Sequence, residues 1–206
     1  MSVKPTFTSS NHHNLKKNEN FSNHINHLIR FRFLTAQSKF VTTSINTMIE
    51  GTSTLHDWEM KGTKADCEVT PVFDQKGNIT GISSMKFKVG VKTLKSGKGA
   101  MDKNAYKALK ADKFVNITAD LKSAKVTTKD NVNFTVNAVV LLNIAGKTKE
   151  TDVSANFKKI NVDSYSVNVK KTLVMSEYGV EPPSFMMGTV TTGDKVDLSF
   201  NFILNK

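Results

Sequence analysis

The feature that most constrains this chain is period-two alternation of apolar residues, sustained in segment after segment from about residue 39 to the end. Ile45, Thr47 and Ile49 alternate with Ser44, Asn46 and Met48. Met85, Phe87, Val89 and Val91 follow, then Ile117, Ala119 and Leu121. The longest run is Phe134, Val136, Ala138, Val140, Leu142 and Ile144. Val153, Ala155 and Phe157 come next, then Tyr165, Val167 and Val169, and finally Val196 through Leu204. Successive side chains of a strand point to opposite faces, so each run has one apolar and one polar face. Turn residues punctuate them, as in Asp74-Gln75-Lys76-Gly77-Asn78, Thr128-Lys129-Asp130-Asn131 and Gly193-Asp194. The pattern predicts an all-β chain of about eight antiparallel strands, closed as a barrel or folded as a sandwich.

One segment departs from it. Met101 to Lys113 puts Ala105, Leu109 and Tyr106 on one helical face, with Asp102 as the expected N-cap. A single short helix in a β chain follows.

Residues 1–37 read as a separate tail, rich in Asn, Ser, His and Lys and without a repeating apolar period. Residues 1–24 are expected to be disordered. His24 and His27 are conceivable metal ligands, but a polar tail that contains histidines is the favoured reading, and no metal site is expected. The stretch LIRFRFLTAQ (28–37) ends like a signal-peptide cleavage region, yet Arg30 and Arg32 interrupt its apolar core. A degenerate export signal and a short helix both fit it. The domain proper is expected at 38–206.

Composition removes several classes. The single cysteine, Cys67, excludes an internal disulfide and a cysteine metal cluster. A domain of roughly 170 residues buries about 70% of its unfolded surface and needs neither. The net charge of +11 suits an anionic partner or a membrane surface. Its basic residues are mostly lysine, with only Arg30 and Arg32 as arginines. Guanine readout leans on arginine, so nucleic acid is not the expected partner. No stretch reaches the roughly 20 apolar residues of a membrane-spanning helix, and the polar strand faces argue against a porin-like barrel.

Three motifs invite chemistry. In GTSTLHDW (51–58), His56 and Asp57 sit beside hydroxyl residues. Neighbours on a strand point to opposite faces, which disfavours a triad. Structural bonding comes first, contact of His56 with a ligand head group second and hydrolysis third; the chain is expected not to be an enzyme. Lys95-Ser96-Gly97-Lys98-Gly99 lacks the Walker spacing and reads as a hinge before the helix, with an anion contact as the lesser alternative. Tyr178 to Pro183 reads as an ordered loop, because its prolines cannot join a ladder. Phe185 and Met186 after it could form a portal or pack over a barrel end.

Four segments in order carry a resemblance: GTSTLHDW, then LKSGKGAMDKNAYKALKADKFVNITADL (94–121), LLNIAGKTKETDVSA (141–155) and MSEYGVEPPSFMMGTVTTGDKVDLSFNF (175–202). Over residues 39–206 the chain resembles the YceI-like family, in its form from Bacteroidetes-type bacteria. The resemblance implies a lipocalin-like antiparallel barrel with a helical segment near one opening. It also implies a lipid-like small-molecule partner, such as a polyisoprenoid or fatty-acid derivative, no cofactor, and a periplasmic or secreted location. Inward positions expected to line the ligand are Phe87, Val89, Ile117, Phe134, Val136, Ala138, Phe157, Phe200 and Phe202. Rim or head-group contacts are expected from His56, Trp58, Tyr106, Phe185 and Met186. Large and small inward residues together suggest a cavity. A structural or stress-linked envelope barrel, filled by its own side chains, stays as the alternative. Oligomeric state, a homodimer included, is left open.

Overall fold

In the computed structural model, the described residues are 38–206; the side chain of Met186 is outside that description. The expectations for residues 1–37, including His24, His27 and the export signal, lie outside the described residues. Ten strands and one α-helix are present among the described residues: β1 (Phe40–Ser53), β2 (Trp58–Gly62), β3 (Asp66–Phe73), β4 (Ile79–Gly90), α1 (Gly99–Ala108), β5 (Asn116–Thr128), β6 (Asn133–Ile144), β7 (Lys147–Asn161), β8 (Ser164–Val174), β9 (Ser184–Phe185) and β10 (Val190–Asn205).

The strands hydrogen-bond in the order β2-β1-β3-β4-β5-β6-β7-β8-β10-β9, and β1 also pairs with β10. That last pairing closes eight antiparallel strands into a barrel, with β2 extending β3 along β1 and β9 as a short addition. Closure removes the sheet edges that would otherwise template aggregation. It is extensive, running from Val41 opposite Asn205 to Ser53 opposite Thr192.

β2 and β3 are one strand with an interruption. β1 sets Thr47 opposite Gly62 on β2 and Phe40 opposite Val69 on β3, with the partner offset unchanged between them. Thr42 stitches the break. Its Oγ1 accepts from the Cys67 amide at 2.8 Å and donates to the Cys67 carbonyl at 3.0 Å.

Two turns show why the chain reverses where it does. Asp74 accepts from the amides of Lys76 and Asn78, both at 2.8 Å, and Gly77 takes φ +77°. Between β6 and β7, Ala145 and Gly146 take φ +50° and +83°, the primed geometry that matches strand twist. A Cβ on Gly146 would lie 2.2 Å from Cζ of Phe114, so the turn also needs the bare glycine for space.

The helix is displaced from its expected place. It begins at Gly99 with Lys98 as N-cap, and the chain leaves it at Lys110, which takes φ +52°. Asp102 is therefore not the cap. It sits in the first turn, buried, and reaches back to the amide and hydroxyl of Ser96, each at 2.7 Å.

The interior has two regions. At one end of the barrel, Phe40, Phe134, Tyr165 and Leu204 are almost completely buried. Phe40 meets Tyr165 edge-on at 5.5 Å, and Phe134 meets the same ring at 6.4 Å. These rings form a floor, and the barrel above it is hollow.

Candidate ligand cavity

A cavity of about 580 Å³ occupies the barrel above the floor. Its wall is built by the inward columns of the strands. Phe87 and Val89 come from β4, Ile117 and Ala119 from β5, Val136 and Ala138 from β6, Ala155 and Phe157 from β7, Val167 and Val169 from β8, and Phe200 and Phe202 from β10. Phe87 and Phe200 cross the space edge-to-face with ring centres 5.4 Å apart. Small residues at 119, 138 and 155 stand among these rings, which is why the volume stays open.

The mouth is made by three pieces. One face of α1 contributes Met101, Asn104, Ala105 and Ala108. The β1–β2 turn contributes Ser53, Leu55 and His56, and the chain after β8 contributes Tyr178, Pro183 and Phe185. The pieces are tied together. Thr54 bonds to the backbone at Thr189 and Thr191, Trp58 Nε1 donates to the Thr52 carbonyl at 3.0 Å, and the Thr192 amide donates to the Pro183 carbonyl at 3.0 Å. Beneath the helix, Tyr106 donates to the Leu94 carbonyl at 2.7 Å.

The structure sorts the sequence candidates. Phe87, Val89, Ile117, Val136, Ala138, Phe157, Phe200 and Phe202 stand on the cavity wall, and His56, Trp58 and Phe185 stand near its mouth. Phe134 does not reach the cavity, because it is committed to the floor. Tyr106 is not at the rim either; its ring packs with Met60, Val89 and Leu94, and its hydroxyl is taken by backbone. Met186 lies outside the described side chains.

His56 and Asp57 do not form a catalytic pair. The His56 ring Nδ1 meets the backbone carbonyl of Asp57 at 2.6 Å, and both residues are exposed. Ser53, the nearby hydroxyl, donates to the His56 carbonyl at 2.7 Å and accepts from the His56 amide. The motif is turn bonding. No group of three metal-ligating side chains occurs among the described residues.

Two polar wall residues were not among the sequence candidates, although Thr47 stood in the alternating column of Ile45 and Ile49. Thr47 is buried on the wall, and its Oγ1 has no hydrogen-bond partner among the described residues. Lys171 lies on the wall in β8, continuing the column of Tyr165, Val167 and Val169. Extending that alternation by one step would have found it.

The YceI-like domain family matches residues 34–204. The chain belongs to that family. Among solved structures, Burkholderia cenocepacia BcnA superposes with a TM-score of 0.60 at 14% identity, covering 77% of this chain and 95% of that one. A polyisoprenoid binding domain from Saccharophagus degradans, implicated in plant cell wall breakdown, gives 0.58 at 9% identity, covering 82% and 98%. The Campylobacter jejuni YCEI protein gives 0.50 at 15% identity, covering 69% and 84%. At these identities the likeness is one of fold. No curated relative matches this chain. No described helix of this YceI-like protein is long and apolar enough to cross a membrane.

Proposed function

We propose that this YceI-like protein is a non-enzymatic carrier that buries the chain of a lipid-like amphiphile, a polyisoprenoid or fatty-acid type, inside its barrel. The observation that carries the reading is the apolar cavity of about 580 Å³ above the aromatic floor. That volume lies within the roughly 300–1,000 Å³ of typical ligand pockets. Affinity would come from burial, about 0.8 kcal/mol for each CH₂ removed from water. The likeness to a polyisoprenoid binding domain supports the choice of ligand class. Family membership supports an exported, periplasmic or secreted carrier.

A filled structural barrel is the competing reading, and the packed end around Phe40, Phe134 and Tyr165 favours it. Native mass spectrometry of the purified protein, followed by denaturing lipid extraction, separates the two. The carrier reading expects an adduct released as lipid. A protein that carries none, and takes up none from an added lipid extract, would favour the filled barrel.

A further inference from the structure

The inward column of β8 runs Tyr165, Val167, Val169, Lys171, Leu173, and one lysine interrupts an apolar series. Lys171 pairs with Leu198, whose partner across β1 is Ile49. It therefore stands one layer nearer the mouth than the row of Val169, Phe200 and Thr47. It is half-buried on the cavity wall, and its side chain has no ion pair or hydrogen bond among the described residues. Among the described residues no carboxylate lines the cavity, and the other lysine on its lining is Lys98, at the mouth. Of the acids on the flanking strands, Glu150 pairs with Lys122, Asp194 with Ser176 and Asp197 with Thr172, and Asp152 is exposed, off the cavity wall.

An ammonium held against apolar wall loses hydration, and it is compensated when a counter-charge joins it. The attraction strengthens as water leaves the space between them. The long stem of a lysine can lie along the wall while its head turns to the polar end of a ligand. From Lys171 down to the Val167–Phe202 row is four residues of strand, about 13 Å of apolar bore.

We propose that Lys171 pairs with an acidic head group, so that the bound amphiphile is an anion, a carboxylate or a phosphate monoester, with its tail running toward the floor. This rests on the carrier reading above and names the class of ligand within it.

Calorimetric titration of the full chain with decanoate, decyl phosphate and decanol at pH 7, below their micellar concentrations, tests it. In the native protein at least one acid binds about tenfold or more tighter than the alcohol, a gap of about 1.4 kcal/mol. Which acid wins separates carboxylate from phosphate. Lys171→Met removes the gap without weakening decanol, and Lys171→Arg keeps it. Equal affinities in the native protein, or a gap that survives Lys171→Met, would overturn the proposal while leaving the carrier reading intact. Failure of all three ligands to bind would sink the carrier reading, and this one with it.

Discussion

Thr47 carries an enclosed hydroxyl without a partner among the described residues, in a wall that is otherwise apolar. Leaving such a group unsatisfied costs about 1–3 kcal/mol, whereas an isosteric methyl costs nothing. Thr47→Val should therefore stabilise the barrel by about 1 kcal/mol, read as a higher urea midpoint at unchanged slope. A lower midpoint would mean that the hydroxyl bonds to something, a bound molecule included. Cys67, beside the β2–β3 break, makes a pH prediction. Burial, and then the neighbouring Glu68 charge, pushes its thiol up to about 12. The unfolded thiol ionises near 8.5. The folded state thus keeps its full advantage below about pH 8.5 and loses it as pH rises toward 12. Cys67→Ala should flatten the fall in stability across that window, measured by denaturant unfolding at stepped pH. A slope identical to the parent's would count against the buried thiol.

The helix-bearing loop is held at the barrel mouth by a few polar contacts. Asp102 gathers the amide and hydroxyl of Ser96, and Lys95 approaches it at 3.7 Å. Those bonds, the Ser96 amide first, hold its carboxyl below the usual range. A lowered value means that the stabilisation is present near neutral pH and is lost as acid protonates the carboxylate. Asp102→Ala should speed amide exchange over residues 94–103 and leave β6 and β10 protected; uniform exchange would show that the contact is not local. This element also marks where the sequence was legible and where it was not. Helical period was visible in Ala105 and Leu109. The choice of cap was not, since whether an aspartate faces forward or back depends on where the preceding loop lies. The β2–β3 interruption was equally hidden, because nothing in Gly62 to Ala65 announces that β1 will pair across both halves in one register.

For the whole molecule, alternation was enough to specify an antiparallel sheet closed or stacked on itself, because only closure or stacking can cover so many one-sided strands; the choice of a barrel came from the family resemblance. Depth was not in the pattern. Phe134 and Val136 share a face and a strand, yet one seals the floor and the other lines the space above it. Their difference is set by Phe40 and Tyr165, which arrive from strands far away in sequence. The barrel is thus filled at one end and hollow at the other, and Ala138 belongs to the hollow part. Ala138→Trp should fold with little change in melting temperature and lose decanol binding in calorimetry. If that region were packed, the same change would cost typically 1–3 kcal/mol. A large stability loss would therefore contradict the cavity.

Gly51 brings one more consequence. It faces Trp58 in the β1–β2 register, and a Cβ there would stand 2.3 Å from the indole, so the bare glycine lets the ring lie flat against the strand. The ring is anchored by its Nε1 bond and reaches the wall near the mouth. It is also the chain's single tryptophan. The protein consequently carries its own optical gauge: indole emission should move to shorter wavelength as a guest displaces water from beside the ring. Loading and release could then be followed in real time with no label attached, with excitation at the red edge where the three tyrosines hardly absorb.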